Sequence, residues 1–176
     1  MLAAYLRCAP FPIRVGTHDV QMPAHMADRW LTAMATDTVR GVVPGLLAPA
    51  DAAMVVHSLM SGDLTYQELQ RAALDAIACA AGRPWWEAMR LAGWADGKSG
   101  ETYGNLILHG VHPHGVTLAA WCAAMLAYVM RGRELKDRQK IEFDLMVPPP
   151  EAVDEIVDWD SGIPAGFSAE LPAGTA

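Results

Sequence analysis

The chain has 176 residues, of which 52% are hydrophobic and 19% charged, and its net charge is −7. That balance can fill the core of one globular body, and it excludes the basic character a phosphate-binding surface needs, so no nucleic-acid partner is expected. The charge is uneven: Glu151, Asp154, Glu155, Asp158, Asp160 and Glu170 follow residue 147 with no Lys or Arg among them, leaving the first 147 residues at a net of −1.

The first ten residues read as an N-terminal arm. They begin with Met1-Leu2-Ala3-Ala4, with no basic region ahead of the apolar residues, and make a poor signal peptide. Residues 11–15 and 19–22 alternate in part around Gly16-Thr17-His18, which predicts a small β-hairpin. Pro23 is expected to open a helix through about residue 35, with Met26, Trp30, Ala33 and Met34 along one side. Residues 41–49, with Val43-Pro44-Gly45-Leu46-Leu47, read as a linker. Pro49 starts a helix that Ser61-Gly62-Asp63 stops.

Thr65-Tyr66-Gln67-Glu68 fits a capping box, and the helix behind it carries Leu69, Ala73, Ile77 and Ala80 near i, i+4 spacing. It ends at Gly82. Pro84 opens the next helix, to about Gly93, with two adjacent tryptophans, Trp85 and Trp86. Helical neighbours point about 100° apart, so one ring is expected in the core and the other toward a second element or a partner. Residues 96–100 read as a polar loop, 101–108 as a short helix and 109–115 as a turn. Thr117 can cap the most apolar helix, which carries Leu118, Trp121, Cys122, Met125, Tyr128 and Val129 and is expected to be central. Its uncharged stretch, 115–130, is shorter than the ~20 residues a membrane span needs, so no membrane association is expected. A charged helix at about 134–146, with a stripe of Leu135, Ile141 and Leu145, closes the body before Pro148-Pro149-Pro150. The expected fold is mainly α: a single helical domain over 11–147 opened by the hairpin, followed by a disordered acidic tail over 148–176.

Few residues suggest chemistry. His109, His112 and His114 cluster in the turn around Pro113 but have no Cys, Asp or Glu beside them, and no metal or cofactor is expected. Asp75, His57 and Ser58 or Ser61 can be written as a triad, but no strand–turn–helix context supports it. Gly93 to Ser99 gives G-x-x-x-G-K-S, one residue short of a phosphate loop and preceded by a helix. Cys8, Cys79 and Cys122 are far apart, with no CxxC, and read as reduced thiols; Cys79 and Cys122 are expected as small core residues. Aromatic anchors are the better candidates, because Trp buries a large area at low entropic cost. The candidate partner-binding residues are Trp85, Trp86, Trp30 and Trp159, the last within Trp159-Asp160-Ser161-Gly162-Ile163-Pro164.

The order of these pieces resembles a family, the tail assembly chaperones of actinobacteriophages, over about residues 11–150. The matching pieces include the hairpin, Met22-Pro23-Ala24, Asp28-Arg29-Trp30-Leu31, Val43-Pro44-Gly45-Leu46-Leu47 and the Ser61-Gly62-Asp63 break. Gly82-Arg83-Pro84-Trp85-Trp86-Glu87-Ala88, Leu108-His109-Gly110-Val111-His112-Pro113, Thr117-Leu118-Ala119-Ala120-Trp121 and a closing 143–149 follow. His112 departs from the Asp expected before that proline. The resemblance implies a helical, non-enzymatic protein of the host cytoplasm. It would bind the tape measure protein and the major tail protein, keeping the former soluble until tail-tube subunits polymerise around it. Two other readings stand beside it: a structural virion protein, such as a head–tail connector or minor tail component, and a small metal-dependent enzyme using the His109/His112/His114 turn.

Overall fold

A computed structural model describes residues 9–35, 39–97, 99–150 and 152. Trp159 and most of the acidic tail fall outside them. Strands β1 (Phe11–Val15) and β2 (His18–Met22) pair antiparallel, with Ile13 opposite Val20 and Val15 opposite His18. Alternation decides which face is buried: Ile13, Val15, Val20 and Met22 point into the core. The turn depends on Gly16, whose φ is +59° while Thr17 stays out of the left-handed region, the pattern of a type II′ hairpin. A Cβ at Gly16 would also sit 2.8 Å from Leu64 Cδ1, so the turn lies directly on the helical body.

Helices α1 (Ala27–Ala35), α2 (Val42–Leu46), α3 (Pro49–Ser61), α4 (Tyr66–Ala81) and α5 (Trp85–Gly97) follow. Then come α6 (Ser99–Leu108), α7 (Leu118–Met130) and α8 (Leu135–Met146). The capping box at α4 forms as expected. Thr65 Oγ1 accepts from the Glu68 N–H at 3.2 Å, and the Glu68 carboxylate accepts from the Thr65 N–H at 2.7 Å. Thr117 Oγ1 likewise accepts from the Ala120 N–H and starts α7. Gly62 and Gly82 close α3 and α4 in the left-handed conformation.

Helix α7 is central. Leu118, Trp121, Cys122 and Met125 are all buried, and α7 touches α1, α4, α5 and α6. Trp30 lies in the same core with 2% of its surface exposed, stacked on Phe11 at 6.4 Å between ring centroids.

Four expectations change. Residues 23–26 are not helical, because tertiary contacts hold them: the Ala27 N–H donates to the Val116 carbonyl, and the His25 ring bonds the Leu46 carbonyl. The 41–49 segment is no linker. Val42, Val43, Leu46 and Leu47 are buried, and Pro44 falls in the first turn of α2, where its missing N–H is harmless. Helix α5 runs through Gly93 to Gly97, since the burial of Ala95 outweighs the roughly 1 kcal/mol helical penalty of glycine. It thereby replaces part of the expected polar loop. In the expected stripe of α8, Leu145 is buried and Ile141 half-buried, but Leu135 is 72% exposed.

Candidate functional site

Trp85 and Trp86 do not divide into one buried and one exposed ring. Both are half-buried, and their rings meet edge-to-face at 5.7 Å and 86°. Trp85 packs on the core, while the Trp86 indole N–H is buried without an acceptor. The rings cover each other because adjacent helical positions both fall at the edge of the buried stripe. Neither ring is fully exposed. Trp30, at 2% exposure, offers no surface to a partner, and its place on the buried side of α1 makes it a core residue.

The histidine turn does not converge. The His109 ring contacts an Arg131 guanidinium N–H, His114 Nδ1 lies 2.8 Å from Asp28 Oδ2, and His112 is exposed. Among the described residues no group of three His, Cys, Asp or Glu stands close enough to hold a metal ion. The written triad is not assembled either. The Ser58 hydroxyl, in the buried face of α3, pairs with His18 Nε2 at 3.1 Å. The Ser61 hydroxyl donates to Asp63 Oδ2 at 2.6 Å, and both His57 and Asp75 are exposed.

Cys122 is the core thiol expected; burial pushes its pKa up to about 12, with Arg83 pulling it down and Glu87 adding to the rise. Cys79 is exposed rather than buried, because it falls on the outer side of α4. Partial burial still raises its pKa above the usual thiol value.

A concave feature among the described residues is a groove of about 620 Å³ where α5, α6, α7 and α8 meet. Its floor and walls are apolar: Trp94 of α5, Met125, Tyr128 and Val129 of α7, and Ile141 of α8. Gly93 leaves one wall without a side chain, and Thr102 contributes a buried hydroxyl. Glu101, Arg131 and Arg133 supply charge at the rim. Several of these groups are held in place. Asn105 Nδ2 donates to the Tyr128 hydroxyl at 3.3 Å and to the Glu101 carbonyl at 2.8 Å, and Arg133 Nε donates to the Val129 carbonyl at 2.7 Å. Arg90 fixes the α8 wall. Its Nη1 donates to the carbonyls of Asp144, Leu145 and Val147 at 2.6, 3.0 and 2.7 Å. These carbonyls end α8, where a cation also meets the negative end of the helix dipole.

In sequence, Tyr128, Val129 and Ile141 carry only a helix-packing signal, and Trp94, Arg90 and Arg133 carry none. Trp94 was hidden by the expected helix end at Gly93. The chain matched no protein-family model, no curated protein and no solved structure. Among the described residues, no helix is long and apolar enough to cross a membrane.

Proposed function

We propose that the chain acts by binding rather than catalysis, as a phage tail assembly chaperone that holds a helical segment of the tape measure protein in the α5–α8 groove. The observation that carries this reading is the groove itself, open, apolar and lined by Trp94, Met125, Tyr128, Val129 and Ile141. An amphipathic helix docks by laying its apolar face into such a groove through anchors at i, i+3 and i+4. The Arg131, Arg133 and Glu101 rim would orient the polar flanks of the bound helix. A tape measure protein left alone exposes its apolar stripes and aggregates, so masking them keeps it soluble in the host cytoplasm.

The test is co-expression with an actinobacteriophage tape measure protein. The wild-type chain should keep that protein in the soluble fraction and co-purify with it. Val129→Ser, which lies in the groove and is half-buried, should lose both effects while retaining a native circular dichroism spectrum. Full retention of binding in that variant would move the docking site elsewhere. An insoluble partner in the presence of the wild-type chain would end the chaperone reading.

A further inference from the structure

The outer face of α8 carries an apolar stripe that nothing among the described residues covers. Leu135, Phe143 and Met146 are 72%, 66% and 68% exposed. At 100° per residue these three fall within an arc of about 80°. Ile141 and Leu145, the residues α8 turns inward, lie on the other side. Lys136 and Lys140 border the exposed stripe along one edge, and both are exposed. Residues 131–140 hold five basic side chains against two acidic ones.

The chain that follows has the complementary character. Residues 151–160 hold five acids and no base, and Val153, Ile156 and Val157 recur at i, i+3, i+4. The chain also leaves α8 through a short turn. Val147, Pro148 and Pro149 end the helix, and Pro150 and Ala152 are already in a new helical turn. The Ala152 N–H donates to the Pro149 carbonyl at 2.9 Å, and Ala152 is 1% exposed. A connection of about three residues between helices makes them antiparallel neighbours. Helix α8 is about 18 Å long at 1.5 Å per residue, and eight further residues reach between about 12 Å as helix and about 28 Å extended. Segment 153–160 can therefore lie along α8 as far as its two lysines.

We propose that segment 153–160 folds back onto the outer face of α8 as a helical turn, its Val153, Ile156 and Val157 covering Phe143 and Met146 at the near end of the stripe and its carboxylates beside Lys136 and Lys140. The short tether places the segment at an effective concentration in the mM range, so a contact too weak to hold a free peptide is closed here. The tail then hides an apolar face that would otherwise pair with a second copy of the chain. This does not depend on what the α5–α8 groove binds.

The chain has three lysines, Lys98, Lys136 and Lys140, which makes a zero-length test clean. Carbodiimide joins a carboxylate to a lysine amine, with loss of water, only where the two touch. The full chain should be treated at low concentration, the monomer band isolated, and the joined peptides read by mass spectrometry. Cross-links from Asp154, Glu155 or Asp158 to Lys136 and Lys140 should exceed those to Lys98 by about tenfold, the advantage of a docked over a merely tethered group. Ile156→Ser with Val157→Ser keeps every tail carboxylate and should lower the yield about tenfold by removing the apolar contact. Equal yields at the three lysines, or no response to that double substitution, would overturn the proposal. So would cross-links found only in a dimer band, which would mean that a second copy covers α8, or no cross-links at all.

Discussion

Arg90→Met is the sharpest probe of how the groove is held. The substitution keeps the aliphatic stem and removes a cation that bonds the last carbonyls of α8 at 2.6, 3.0 and 2.7 Å. A hydrogen bond to a charged donor contributes about 1.5–3 kcal/mol, and a cation at a helix C-terminus adds about 0.3–1 kcal/mol. Two of the three bonds are exposed and water replaces them in the variant, so their sum is not lost. The expected destabilisation is about 2 kcal/mol, weighted to the part-buried bond at Leu145. For a chain of this size that is a fall in melting temperature of about 4–8 °C. The loss should be local before it is global. Amide exchange should accelerate in α8 and in the groove wall around Ile141, while α4, opened by its own capping box, stays protected. Calorimetry and hydrogen exchange of the two proteins read both effects. An unchanged melting temperature together with unchanged α8 protection would refute the role given to Arg90.

Four further outcomes follow from the packing. Gly16→Ala should cost about 2–4 kcal/mol in chemical denaturation, combining a left-handed φ of +59° with a Cβ 2.8 Å from Leu64. Trp30→Ala should cost about 3–5 kcal/mol, as a core residue does, and an unaltered melt would return Trp30 to the surface. The Thr65 backbone and hydroxyl bonds hold the Glu68 carboxyl below its ordinary pKa, so the capping box contributes stability above the usual carboxylate range and loses it as pH falls through the lowered value. Denaturation of Glu68→Gln across pH 3 to 7 should show a flatter acid limb than the wild type, about this range being where carboxylates titrate. A thiol reagent should label exposed Cys79 in the native protein and reach Cys122, buried and pushed up to about 12, only after unfolding; peptide mapping distinguishes the two.

Much of the fold was readable from local signals. The hairpin, the Pro49 start and Gly62 stop of α3, the Thr65 box and the Thr117 cap all depend on chemistry confined to a few neighbouring residues. Errors arose where distant contacts decided the outcome. The extended 23–26 segment is held by Leu46 and Val116, and a propensity argument sees neither. The 41–49 segment contains Pro and Gly and so resembles a linker, yet its valines and leucines fill the core. The candidate site was less legible than the fold. Tryptophan count drew attention to Trp85 and Trp86, which cover each other, and to Trp30, which is buried. The groove comes from four helices, and its walls include Gly93 and the α8 side chain Ile141, which carry no motif. Arg90 reads in sequence as an ordinary surface cation. Only the return of α8 beside α5 gives it three carbonyls to hold.

Site-specific photo-cross-linking tests the central claim, that the α5–α8 groove receives a helical partner, most directly. A benzophenone amino acid placed at Trp94, and separately at Met60, exposed on α3 away from the groove, would be irradiated during co-expression with a phage tape measure protein. The account predicts adducts from position 94 that map to amphipathic helical stretches of that protein, with few from position 60. Equal labelling from both positions, or adducts from position 60 alone, would contradict it.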